Sequence, residues 1–264
     1  MKAIDLKELH KIHLDMLADI DKFCRHNDIR YSLGGGTLLG AVRHKGFIPW
    51  DDDVDIMMPR KDYDRFVSTY NDKISPYRCI DYVMDKDVRY AKAWAKIHDT
   101  RTICIETKEL ADLRHGVFID VFPIDGLPEN DRECRKFLKR CASYKHRLKM
   151  SMIRKRKYNT DINLPKFILS HIIPTKTWKG LMERTSRKYP YETSKYAGAT
   201  TGSYRMRERY RRELFESYMD IPFETCILRS ITDYDTYLKQ HYDNYMELPP
   251  EEMRVTHNIK AFWR

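Results

Sequence analysis

No run in this sequence approaches the roughly 20 apolar residues that a membrane-spanning helix requires. The most apolar stretches, such as residues 167–173, are short and are broken by Ser170 and His171. The first residues, Met1-Lys-Ala-Ile-Asp5, lack the apolar core of about 7–15 residues that marks a secretory signal. A cytoplasmic protein is the expectation. The six cysteines contain no C-x-x-C pair, which argues against a zinc site or a disulfide scaffold and leaves reduced thiols as the default. Internal repeats and low-complexity segments are also missing. What is present suits a folded body. The 264 residues are 42% hydrophobic and 12% aromatic, enough for one substantial core with an appended lobe, and too aromatic for a disordered tail.

The formal net charge is +10, and it is unevenly placed. Residues 127–215 hold 24 Lys and Arg against 8 Asp and Glu, a local +16, so the remainder of the chain is at −6. A basic middle third seeks phosphate: an anionic membrane surface, a phosphorylated substrate or nucleic acid.

Hydrophobic spacing gives a first outline. Leu6, Leu9, Ile12, Met16, Leu17, Ile20 and Phe23 recur at helical steps over residues 5–26, with Asp5 as N-cap. A short strand over 29–33 runs into Gly34-Gly35-Gly36, which opens a helix over 37–42. Alternation predicts a strand over 53–57, closed by Pro59, then a helix over 61–70. Further strands are expected over 78–83, 93–97, 102–106 and 116–122. A long helix with a basic outer face is expected over 132–157, and a second helical stretch over 164–182, interrupted by Pro174. The charge-dense stretch 204–212 reads as solvated, and a last helix falls over 234–242. The fold class is α+β, a mixed sheet flanked by helices. Its parts are a core over 1–126, a basic helical region over 127–210 and a C-terminal segment over 211–264 that packs back on the core.

The chemistry concentrates in one segment. Four aspartates fall in five positions, Asp51, Asp52, Asp53 and Asp55. On a strand, residues two apart share a face, so Asp51, Asp53 and Asp55 point one way and Asp52 the other. Converging carboxylates repel unless a proton or cation sits among them, and a hard oxygen-loving ion, Mg²⁺, is the natural solution. A solvated acidic turn is the alternative; the apolar Val54, Ile56, Met57 and Met58 argue against it. Gly35 and Gly36 lack a Cβ, so a phosphate can approach their backbone N–H groups, and the helix start at Thr37 adds its partial positive charge. A third acid, Asp120, stands alone among strand formers in Val117-Phe-Ile-Asp-Val-Phe122. It either shares the metal with Asp53 and Asp55 or pairs with a basic residue such as Arg114.

Together these features resemble the nucleotidyltransferase superfamily of the polymerase-beta type. More narrowly, Gly35-Gly36-Thr37-Leu-Leu-Gly-Ala-Val-Arg-His-Lys-Gly-Phe-Ile-Pro-Trp-Asp-Asp-Asp-Val-Asp55 is similar to the signature of the LicD family. Gly116-Val-Phe-Ile-Asp-Val-Phe-Pro-Ile-Asp125 resembles its second block. Pro222-Phe-Glu224, Tyr234-Asp-Thr-Tyr-Leu238 and residues 242–250 resemble its closing block. The resemblance spans about residues 5–126 and 211–260. Thr225 stands where the family commonly has glycine, and Tyr242-Asp-Asn-Tyr245 where it has Tyr-Gly-Asp-Tyr.

The resemblance implies transfer of a phosphorylated alcohol from a CDP-activated donor to a glycan hydroxyl, with CMP leaving. Phosphocholine from CDP-choline is the leading case; CDP-ribitol and CDP-glycerol are alternatives, and a nucleic-acid-directed protein of the same fold is a different class. On this reading Asp53 and Asp55 bind one or two Mg²⁺ ions, with Mn²⁺ as a substitute. Asp120 completes the site and helps to deprotonate the acceptor. Gly35, Gly36 and Thr37 lie under the donor diphosphate.

Arg43 and Lys96 are candidate phosphate contacts. Lys96 among apolar neighbours needs a partner, unless it snorkels outward. Asp51 would orient the ligands. Trp50 would stack on a base, hold a quaternary ammonium by cation–π contact, or simply pack. His257 would close the site from the C-terminal block. For the basic middle, a solvated helical face competes with docking at the inner face of the plasma membrane, where a lipid-linked glycan would sit. Nucleic acid is disfavoured, since no RNA-binding module is recognisable.

Overall fold

In the computed structural model, the residues described are 1–80, 92–105, 115–152, 168, 171–256 and 259–264. The expectations for 81–83, 106 and 153–167, and the placements of Arg114 and His257, lie outside them.

Helix α1 (Leu6–His26) forms where the spacing predicts, with the Asp5 side chain accepting the Glu8 N–H at 2.8 Å. It buries Leu9, Ile12, Met16, Leu17, Ile20 and Cys24. Each such side chain contributes roughly 1.5–3 kcal/mol of transfer free energy. A seven-stranded mixed sheet runs in the order β2 (Ser32–Leu33), β3 (Asp55–Pro59), β7 (Phe118–Leu127), β5 (Ala95–Asp99), β4 (Tyr77–Ile80). Its remaining strands, β8 (Tyr196–Gly198) and β9 (Tyr210–Arg211), extend it from the end of β7. Only β3 and β7 run parallel in it; the other pairs are antiparallel. Strand β7 pairs with β5 through residues 118–121 and with β8 through 125–127. Pro123 lies between the two partners, where its missing N–H costs that edge no ladder bond.

Helix α2 (Gly35–His44) starts directly after β2, two residues earlier than the sequence suggests, so Gly35 and Gly36 form its first turn. Pro59 ends β3, and α3 (Arg60–Thr69) follows at once. A second sheet joins β1 (Ala3–Ile4), β12 (Lys260–Trp263) and β6 (Thr102–Ile105), which ties the C-terminal segment to the start of the chain. The hairpin of β10 (Tyr218–Phe223) and β11 (Cys226–Ile231) leads into α6 (Tyr234–Tyr242).

The basic region packs around a second apolar cluster that it shares with the sheet, where Ala93 is fully buried. Helix α4 (Asp131–Met152) packs Cys134, Phe137, Leu138, Cys141 and Leu148 against Trp178 and Met182 of α5 (Thr175–Ser186), with Leu127 of β7 in the same cluster. Arg132, Arg135, Lys136, Lys139 and Arg140 are exposed on the other side of α4. Among the described residues, no helix is long and apolar enough to cross a membrane.

Candidate active site

The acid cluster is assembled by strand register. Parallel β3 and β7 place Asp55 opposite Asp120, so the two carboxylates project from neighbouring strands on one face. Met57, Phe122 and Ile124 follow at two-residue steps on the same face. Asp53 precedes β3 rather than lying in it, so the strand argument holds for Asp55 alone; the lead-in still brings Asp51 and Asp53 to the same cavity. Asp52 turns the other way. It is buried, and its Oδ2 accepts the Ile259 N–H at 3.0 Å.

The glycines fit against these acids. Gly35 has φ +48°, and a Cβ there would lie 2.9 Å from Asp55 Oδ2. A Cβ on Gly36 would lie 2.9 Å from Asp51 Oδ2. The space left by the missing side chains is therefore taken by carboxylates at a helix N-terminus, which favours negative charge. The Gly35 N–H is donated to the Tyr237 hydroxyl at 3.2 Å, so it does not stand open for a phosphate as the sequence suggests. The Thr37 hydroxyl accepts the Asp55 N–H at 2.8 Å and sets the start of β3.

Lys96 corrects a second expectation. It is fully buried and does not line the cavity; its Nζ lies 2.9 Å from Asp120 Oδ1. The phosphate contact gives way to an ion pair with the third acid, because an ammonium with no exposure needs a counter-charge within reach. The basic partner expected for Asp120 is thus present, and Asp120 lines the cavity as well. Arg43 also points elsewhere, donating to the carbonyls of Tyr245 at 2.8 Å and Glu247 at 3.1 Å. Trp50 is half-buried between His44, at 6.2 Å edge-on, and the Arg254 guanidinium at 5.2 Å. Neither Arg43 nor Trp50 lines the cavity.

The cavity measures about 470 Å³. One wall is acidic: Asp51, Asp53, Asp55 and Asp120 beside the glycine turn. A second part of the lining is aromatic, and the sequence pattern did not reveal most of it. Tyr204, Glu208 and Tyr210 come from the stretch expected to be solvated, and Tyr237, His241 and Tyr242 come from α6. Glu208 and Tyr210 are buried because β9 pairs back onto β8. The signal was there as three aromatic or acidic residues among the arginines, but their inward direction depends on that pairing.

Burial pushes the Asp55 carboxyl well above the usual carboxylate range, and Asp53, Asp120 and Asp51 push it further, against a smaller opposing pull from Lys96. A carboxylate in this position is ionised readily only beside added positive charge. The donor set consists of hard oxygens. Among the described residues, no three acidic, His or Cys side chains form a closed metal cage. Mg²⁺ rarely uses one, being held by one or two carboxylates plus substrate phosphates and water. The residues present fit that mode. Glu208 is raised by burial to about 7, and His241 is lowered by burial and Arg207 to about 4.

A mixed sheet presenting two in-register strand acids beside a glycine-opened helix defines a nucleotidyltransferase-type domain. The sequence matches the family model described as "LicD/FKTN/FKRP, nucleotidyltransferase domain" over residues 28–158. It is 34% identical over 266 aligned residues to a Haemophilus influenzae protein named "Lipopolysaccharide cholinephosphotransferase LicD", covering 98% of both chains. The chain belongs to the LicD family. Over 61 residues it is also 44% identical to uncharacterized proteins of Rickettsia prowazekii and Rickettsia typhi, covering 23% of this chain and 20% and 18% of theirs.

Proposed function

We propose that this protein transfers phosphocholine from CDP-choline to a hydroxyl of a cell-surface glycan or its lipid-linked precursor. The observation that supports this most is the in-register pair Asp55 and Asp120 facing one cavity, in a chain alignable end to end with a cholinephosphotransferase. In the reaction the acceptor oxygen attacks the phosphorus that bears choline. The bond from that phosphorus to the bridging oxygen breaks, and CMP leaves. Asp120 would take the acceptor proton, with Lys96 offsetting its charge from behind. Asp53 and Asp55 would hold a divalent cation, Mg²⁺, which supplies charge neutralisation on the diphosphate. Asp51, packed against Gly36, would orient water or ligands around that ion. The exposed basic face of α4 would meet the phosphates of an anionic acceptor or of the inner membrane leaflet.

The test is CMP release from CDP-choline with a glycan acceptor. Asp53→Ala and Asp55→Asn should each lose at least about 100-fold, as removal of several kcal/mol of charge stabilisation implies. EDTA should do the same. Asp55→Asn has a second readout: its melting temperature in EDTA should exceed that of the wild type, because a buried repelling charge is gone. Unchanged activity in both variants and in EDTA would sink the metal assignment.

A further inference from the structure

The aromatic part of the cavity wall has features of a ligand subsite. Tyr204 lies 4.5 Å from the His241 ring at a tilt of 59° and meets Tyr242 edge-on at 5.9 Å, while remaining 45% exposed. Tyr237 stacks on His241 at 4.7 Å. Glu208 is 6% exposed; its Oε2 lies 3.7 Å from His241 Nε2, and its other oxygen fills the space where Gly202 lacks a Cβ. Thr201 lines the cavity with a buried hydroxyl that has no hydrogen-bond partner among the described residues. Ser203 and Lys92 line the cavity as well. Several other polar atoms of the wall are engaged. The Tyr237 hydroxyl accepts from Gly35, and the Tyr210 hydroxyl meets His241 Nδ1 and the Tyr237 carbonyl. The Lys145 ammonium donates to the carbonyls of Thr201 and Gly202 at 2.7 and 3.1 Å. His241 is neutral in the physiological range, so the imidazole brings no competing cation.

The wall offers ring faces, one buried carboxylate, and the hydroxyls of Thr201 and Ser203. We infer that Tyr204, Tyr242 and Glu208 form the subsite for the quaternary ammonium of the transferred alcohol, in the same cavity as Asp53, Asp55 and Asp120. Ring quadrupoles attract a cation that cannot donate hydrogen bonds, and Glu208 supplies its counter-charge. The wall reaches the acids through Tyr242, whose hydroxyl lies 3.7 Å from the Cβ position of Gly35. The inference rests on the transferase reading above, and it moves the cation–π role from Trp50 to residues that line the cavity.

Calorimetric titration of the purified full chain with CDP-choline and with CMP separates the two halves of the donor. Tyr204→Leu and Glu208→Gln should each weaken CDP-choline by roughly tenfold, the order expected for a partly desolvated cation–π or carboxylate contact. Both should leave CMP binding unchanged. Tyr204→Phe keeps the ring and should bind CDP-choline as the wild type does. CDP-glycerol, which has no ammonium, should bind no tighter to the wild type than to Tyr204→Leu. Equal effects on CDP-choline and CMP, or no effect of Tyr204→Leu on either, would overturn the subsite. CMP release that does not distinguish CDP-choline from CDP-glycerol would remove the subsite and leave the transferase reading standing. An intact binding contrast without transfer to any acceptor would remove the transfer reading and leave the subsite.

Discussion

The substitution Gly35→Ala tests whether the glycine turn exists to seat an acid. At φ +48° an alanine costs about 1–2 kcal/mol in backbone strain. Its Cβ would also sit 2.9 Å from Asp55 Oδ2, a separation that real Cβ contacts essentially never show. The clash is with a carboxylate held in register by β7 and by the Thr37–Asp55 bond, so Asp55 must shift by several tenths of an ångström or more. Stability should fall by about 1–2 kcal/mol, or roughly 2–8 °C in melting temperature. Activity should fall out of proportion, by about 100-fold, as misplacement near 1 Å does at a reacting centre. Gly180 provides the control. It lies exposed within α5 with nothing within 4 Å of its Cβ position, and Gly180→Ala should stabilise by about 0.5–1 kcal/mol with activity unchanged. The assays are thermal unfolding and CMP release on both variants. If Gly35→Ala loses no more activity than its unfolded fraction explains, the glycine is a chain-turn device and the seating argument fails.

Two further outcomes follow from buried charge. Arg60 donates to Asp125 through Nε at 2.6 Å and Nη2 at 2.8 Å, and the Thr200 hydroxyl donates to the same carboxylate at 2.8 Å. Asp125→Ala strands a buried guanidinium and should cost about 3–5 kcal/mol, whereas the double variant Arg60→Met, Asp125→Leu should cost much less. A double variant as unstable as the single, by urea titration, would refute the pairing argument. Burial, with a smaller push from His10, lowers His13 to about 3. The folded state therefore resists a proton that the unfolded chain accepts below pH 6.5. The stability from neutral His13 is full above that pH and shrinks as pH falls towards 3, by about 2 kcal/mol at pH 5. The pH 7 to pH 5 loss should be smaller by that amount in His13→Gln, measured as the difference between the two proteins; equal losses would count against it.

Much of the site was legible from local pattern. Glycines before a helix and acids spaced by two located the acidic wall, and helical periodicity with an N-cap located α1. The solvated reading of 204–212 holds for Tyr204, Arg205, Arg207 and Arg211, which are exposed, and misses Glu208 and Tyr210, whose inward direction the surrounding arginines masked. Glu208 and Tyr210 are buried by β9 pairing onto β8, and Arg209 lies over the Tyr196 ring, 3.4 Å from its centroid, instead of reaching solvent. Arg43, Trp50 and Lys96 were assigned by proximity in sequence to the acids, and proximity in sequence does not set side-chain direction.

The sequence alone determined the donor chemistry: which carboxylates exist, that they crowd, and that a glycine turn precedes them. Those are properties of spacing over two to four residues, where backbone geometry dictates which side chains share a face. Tertiary structure decided the rest. Register between β3 and β7 joins Asp55 to Asp120 across 65 positions, Lys96 finds its counter-charge on the neighbouring strand, and residues from 199–210 and 234–242 meet at the same cavity. Such convergence follows from strand pairing and burial between distant segments, and no local period in the chain encodes it.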